Sequence, residues 1–173
     1  MRVNIVKRFI IITIEIIICF LLQTTVFQWF ALAKAVPNLL LILTVSVGLM
    51  RGRTEGLIVG FFCGLLVDTC FGSVIGLYAF IYMIIGYLNG YSNKIFEKDD
   101  LTIPIVLVGL SELVYFLLYY VFKYLLLGEL NILYYFIRLG LPETIYTVVV
   151  SILMYKLLTT INTRIDRSKE KEV

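Results

Sequence analysis

Five polar side chains stand inside otherwise apolar runs of this 173-residue sequence: Glu15, Gln23, Asp68, Glu112 and Glu143. A carboxylate at the centre of a membrane helix costs at least ~2.5–3.5 kcal/mol, and less near the helix ends, so such a group has a job. Glu112 lies deepest, halfway along a long apolar run. It is a functional-site candidate by default; the competing reading is a neutral acid hydrogen-bonded inside a bundle. Asp68 falls near the outer end of its run, at the depth expected for Lys123 and Arg138. Either of those cations is a candidate counter-ion; the alternative is an Asp that ends its helix in water. Glu143 follows Pro142 at the start of the last run, where a carboxylate suits a helix N-terminus. The acids sit at different depths, so they form no pair of catalytic groups, and nothing in their spacing requires a relay.

Other chemistry is missing. Histidine is absent, which removes the commonest general base and metal ligand. Cys19, Cys63 and Cys70 lie in apolar runs without metal-ligand spacing and read as small buried hydrophobes. No phosphate loop, nucleophile elbow or metal motif occurs. The expectation is a protein that is not an enzyme and holds neither cofactor nor metal.

The elements that must position these residues are membrane helices. The chain is 61% hydrophobic and 16% charged, with a mean hydropathy of +0.98. Soluble domains are roughly 45–50% apolar and about 25% charged. An all-α polytopic bundle follows, because only helices and closed barrels satisfy their backbone in lipid. A spanning helix needs about 20 apolar residues. Phe9–Phe30 fits, and is too long for the apolar core of a signal peptide. Asn38–Met50 is short; it reaches spanning length if its helix begins near Leu32, with Lys34 snorkelling and Pro37 inside the early turns. Gly56–Phe71 is also short. Val74–Tyr91 and Leu101–Leu127 follow, separated by the polar loop Asn93–Asp100, with Pro104 tolerated in a first turn. Gly128–Gly140 looks like an interfacial amphipathic piece. Leu141–Ile161 is the last run.

Six spans follow, with five as the alternative. The expected layout is a basic N-terminal segment (1–8), one membrane domain (9–161) and a charged tail (162–173). With six spans, one face collects Arg2, Lys7, Arg8, Arg51, Arg53, Lys94, Lys98, Lys156, Arg164, Arg167, Lys169 and Lys171, and the other only Lys34, Lys123 and Arg138. The positive-inside rule then puts both termini in the cytoplasm. Five spans would send one basic end outward. The tyrosines at 115, 119, 120, 124, 134 and 135 gather toward the outer side, as in an aromatic belt.

A ladder of small residues runs through the third span: Gly56, Gly60, Gly64, then Asp68, Gly72 and Gly76. Residues four apart share a helix face. A smooth glycine stripe lets another helix approach closely in lipid. That helix belongs either to the same chain or to a partner. Gly86 and Gly90 offer a smaller stripe with the same two readings.

From the Pro37-Asn38-Leu39-Leu40-Leu41 run, through the glycine ladder with Asp68, to Gly76-Leu77-Tyr78-Ala79 and Gly86-Tyr87, the chain resembles the MreD family of rod shape-determining membrane proteins. The likeness covers roughly Val36–Tyr91. It implies a non-enzymatic component of the bacterial cell-elongation complex in the cytoplasmic membrane. The partners it implies are membrane lipid, an MreC-like protein, the MreB filament, a RodA-type glycosyltransferase and a penicillin-binding transpeptidase, with no nucleic acid. That family is similar in turn to the six-helix S components of energy-coupling-factor transporters. The second function this implies is small-molecule binding, with Glu112 or Asp68 facing a pocket.

Overall fold

The computed structural model describes residues 2–31, 35–72, 75–94, 101–125, 128 and 130–170, with side chains between Arg8 and Ile161. Among the described residues the fold is all helical. The six main helices are α1 (Arg2–Leu21), α2 (Leu39–Arg51), α3 (Arg53–Phe71), α4 (Leu77–Asn89), α5 (Thr102–Lys123) and α6 (Leu141–Glu170). They alternate in direction. Gly52 alone separates α2 from α3, with φ +93°. Contacts between Asn89 and Ser111, and between Tyr78 and Tyr119, set α5 antiparallel to α4.

The helix at the centre is the shortest kind. α2 has 13 residues, about 20 Å at 1.5 Å per residue, against a hydrocarbon core of ~30 Å. It touches every other main helix, and Leu39 through Leu49 are buried without a break. Leu, Ile and Val occupy all its faces because it has no lipid-facing side, and the hydroxyls of Thr44 and Ser46 among them donate to the Leu40 and Ile42 carbonyls of the same helix. A helix enclosed by protein need not match the bilayer, since its ends find partners in neighbouring helices. This corrects the expected start near Leu32. Residues 36–38 are not helical, and Pro37 precedes the helix rather than lying within it. Lys34 lies outside the described residues.

Among the described residues, four stretches are long and apolar enough to cross a membrane: Arg8–Trp29, Arg53–Phe71, Thr102–Lys123 and Ile132–Ile161. Two of them contain a π-turn. Leu22–Val26 continues α1 toward Trp29, and Thr24 and Thr25 there donate their hydroxyls to carbonyls one turn back, at Phe20 and Leu21. Phe136–Gly140 joins the turn Ile132–Tyr135 to α6. Pro142 explains the second: it has no N–H and its ring crowds the carbonyl four residues back, so the ladder widens locally. The expected interfacial piece at 128–140 is therefore, from Ile132 onward, the first part of the last long helix. At the other end that helix runs to Glu170, well into the expected tail. Of the polar loop Asn93–Asp100, residues 95–100 lie outside the described ones, and Gly90–Lys94 forms a 3₁₀ turn.

The glycine ladder is closed within the chain. A Cβ at Gly60 would strike the Tyr82 carbonyl, one at Gly64 the Tyr78 carbonyl, and one at Gly56 the Gly86 carbonyl. Gly86 meets Gly56 in return, and Gly90 meets the Arg53 backbone. The two stripes are thus the two sides of one seam, between α3 and α4. Backbones this close exclude any larger side chain, which is the physical reason for glycine there. Gly72 packs its Cα on the Asp68 backbone, and Gly76 takes φ +105° to open α4.

Candidate functional site

Polar groups gather around the N-terminal end of α2, deep in the bundle. The first N–H groups of any helix lack partners within it. Here Asn38, 2% exposed, caps the helix: its Oδ1 accepts from the Leu41 amide at 3.2 Å. Gln23, on the π-turn of α1, accepts from the Leu40 amide at 3.2 Å. The Asn38 amide itself donates to Thr147 Oγ1 of α6 at 3.0 Å. Tyr82 of α4 donates its hydroxyl to Asn38 Oδ1 at 2.6 Å. One asparagine therefore ties α2 to α4 and α6, with Gln23 adding α1.

Glu112 faces this hub from α5. It is 1% exposed and turns toward the Asn38 side chain without meeting it in a hydrogen bond; both carboxyl oxygens lack a partner among the described residues. Glu143 of α6 is half-buried and lies within electrostatic reach of Glu112 and of the Tyr115 hydroxyl. Tyr115 lies edge-on to Tyr82 at 5.8 Å and stacks with Tyr119 at 6.0 Å. Tyr78 completes the group, 5.6 Å from Tyr119. The arrangement offers a buried carboxyl, tyrosine rings and a helix N-terminus in one water-poor region. It contains no nucleophile set against a base, and no group of three metal-ligating side chains occurs among the described residues.

Asp68 has a separate role. It is 1% exposed, and its oxygens accept from the Tyr78 amide at 3.0 Å and the Ala79 amide at 2.9 Å. Those are the second and third residues of α4. The carboxylate thus caps the next helix from across the turn, and satisfies its charge with amides at a positive helix end. This corrects the expected ion pair. Lys123 Nζ lies over the Tyr119 ring at 4.9 Å, and Arg138 bonds the Tyr134 hydroxyl. Nor does Asp68 end its helix in water.

Glu15 lies toward the other end. It is buried on α1, with no hydrogen bond to either oxygen among the described residues and with Arg51 as the opposite charge acting on it. Glu143 was expected at a free helix start. The chain enters α6 directly from the π-turn, so that start does not exist. The structure thus sets Glu112 beside the Asn38 hub and leaves Asp68 and Glu15 in their own settings. Of the expected aromatic belt, Tyr134 is exposed, but Tyr120 is 2% exposed and Tyr115 is in the interior stack.

Sequence reasoning passed over Asn38, Tyr82 and Thr147. Asn38 carried a usable sign, an Asn directly ahead of an unbroken apolar run. Tyr82 and Thr147 carried none, because their partner lies 44 and 109 residues away.

Residues 3–162 match the family model described as rod shape-determining protein MreD. No curated protein and no solved structure matches the chain. With a match over nearly its whole length and an all-helical bundle with four membrane-length apolar helices, the chain belongs to the MreD family of rod shape-determining membrane proteins.

Proposed function

We propose that the chain is a non-enzymatic scaffold of the bacterial cell-elongation complex, which couples peptidoglycan synthesis to the MreB cytoskeleton through contacts between membrane helices. It crosses the cytoplasmic membrane six times and keeps both termini inside. Its partners are an MreC-like protein, the MreB filament, a RodA-type glycosyltransferase and a penicillin-binding transpeptidase. The observation that carries this reading is the filled centre of the bundle: α2 is buried by five helices, so what remains for recognition is the outer surface. The α3–α4 seam is already occupied. Partner helices are therefore assigned to the exposed apolar faces, such as Ile10, Ile14 and Ile18 of α1, or Ile145, Val149 and Leu153 of α6. Depletion of the protein from its own cells tests this. Rounded cells with mislocalised wall synthases are expected. Rod shape retained together with a fall in uptake of one nutrient would overturn the reading.

One observation favours a second reading, a small-molecule-binding component of a transporter. The Glu112 oxygens beside the α2 N-terminus, which have no partner among the described residues, are what a ligand with hydrogen-bond donors would satisfy. Glu112→Gln separates the two. A scaffold retains rod shape with the amide in place, whereas a binder loses its ligand by mass spectrometry of the purified protein.

A further inference from the structure

On α5 the way outward from Glu112 passes Phe116. Glu112, Phe116 and Tyr120 follow one another at four-residue steps on one buried face. Phe116 therefore stands one turn outward of the carboxyl, about 6 Å along the axis at 1.5 Å per residue. Its ring is clamped. Phe136 lies edge-on to it at 5.4 Å, and a Cβ on Gly140 would come within 2.7 Å of it. Both clamping residues belong to the π-turn Phe136–Gly140. Tyr135, just ahead of that turn, packs on Tyr124 at 4.3 Å and on Tyr120 at 6.0 Å. Arg138 bonds Tyr134 within the same stretch, so that bond is kept when the stretch moves as a whole. The backbone at its end is suited to bending. Pro142 brings no N–H to the ladder. The Thr144 hydroxyl donates to the Gly140 carbonyl at 2.7 Å, a back-bond of the kind that bends helices. π-turns inside long helices mark kinks and, frequently, functional sites.

We propose that Ile132–Gly140 is a lid hinged at the π-turn, and that its opening admits small hydrogen-bond donors, such as amines, from the outer face to Glu112. Closed, the lid holds Phe116 over a carboxyl whose oxygens meet no partner among the described residues. Buried polar groups are nearly always paired, so a route to a donor accounts for an acid in this place. The far side of the lid is free to move. Ile132, Leu133, Tyr134 and Ile137 are exposed, so an outward swing displaces lipid or interfacial water rather than packed protein. Hinges of this kind are a few residues at the end of an element that absorb the backbone change. The proposal rests on the small-molecule reading for what enters, and the lid itself is tested apart from that reading.

The test places Glu112→Cys in a full chain freed of Cys19, Cys63 and Cys70, in right-side-out membrane vesicles. An impermeant methanethiosulfonate that carries a quaternary ammonium is added outside. Slow labelling is expected. Phe136→Ala should speed it about fivefold, the scale of one lost aromatic pair, and Pro142→Ala, which returns an N–H to the ladder, should slow it. Absence of labelling from outside overturns the proposal, as does a rate that neither change alters or that both raise. Hydrogen exchange in nanodiscs reads the hinge without the new cysteine. Several-fold slower exchange of the amides at 137–141 in Pro142→Ala than in the unaltered chain is expected; equal exchange overturns the hinge. Labelling through the lid with no small molecule retained by the purified protein keeps the lid and removes the small-molecule reading. A retained ligand without labelling does the reverse.

Discussion

A carboxylate inside a membrane protein can be satisfied without a countercharge, and Asp68 shows how. Two charge-assisted hydrogen bonds to the start of α4, each worth ~1.5–3 kcal/mol, replace the water it loses. Asp68→Ala should therefore lower thermal stability by about 3 kcal/mol or more. Asp68→Asn should fall between, since its one oxygen can serve one amide. Lys123→Ala should leave stability nearly unchanged. Melting curves in detergent check all three, and a loss on Lys123→Ala equal to that of Asp68→Ala would restore the ion pair. Glu112 is the opposite case, a buried acid whose oxygens meet no hydrogen-bond partner among the described residues. Removing such a group in favour of an apolar one of similar size is often neutral or stabilising. Glu112→Leu is thus expected to keep or raise the melting temperature. A drop of several degrees would mean that Glu112 has a structural partner. At this scale the positions of the polar residues were legible from sequence because acids in apolar runs stand out. Their partners were not. Backbone amides offer no sequence pattern, and the Tyr82–Asn38 bond joins residues from different helices.

Among the elements, the spacing of Gly56, Gly60 and Gly64 made a close helix contact legible, but spacing alone does not name the neighbour. The structure makes it α4, and the contact is backbone to backbone. Gly60→Val should destabilise by at least ~1–3 kcal/mol, as overpacking does, and reduce the protein in membranes. Gly109→Ala is the control: its added Cβ would lie 3.4 Å from the Val148 side chain, which can yield. Equal membrane levels for the two variants would contradict the seam. Gly76 differs again. It has open space around it but φ +105°, so Gly76→Ala should cost about 1–2 kcal/mol through backbone strain alone. Element lengths were misjudged for a physical reason. The requirement of about 20 residues assumes a helix bathed in lipid, and α2 is bathed in protein. The π-turn after Ile132 was visible only as Pro142, whose effect depends on whether a helix already runs through it.

For the whole molecule, charge is divided along the bundle. Arg8 and Arg51 meet Glu55 at one end, and Asn93, next to Lys94, bonds the Leu49 carbonyl there at 2.6 Å. Arg53 stacks on Tyr91 at the same end. Lys123 and Arg138 lie at the other, among Tyr119 and Tyr134. Single cysteines in place of Lys94 and of Leu133, in an otherwise cysteine-free chain, should react with impermeant reagents only from the cytoplasmic and only from the external side, respectively. Reaction of both from one side would contradict the crossing of α5 on which the proposed six-span topology depends. The all-helical class and the membrane setting were legible from composition, whereas the burial of α2 on every side was not, since it depends on how six helices share their apolar faces. The central claim is a scaffold that works through its outer surface. Its most direct test is purification of the tagged protein from its own membranes in mild detergent, with mass spectrometry of all that accompanies it. Recovery of an MreC-like protein with wall synthases, from the unaltered chain and lost on Ile14→Trp or Leu153→Trp, is the expected result. Recovery of transporter ATPases or a stoichiometric small molecule instead would contradict it.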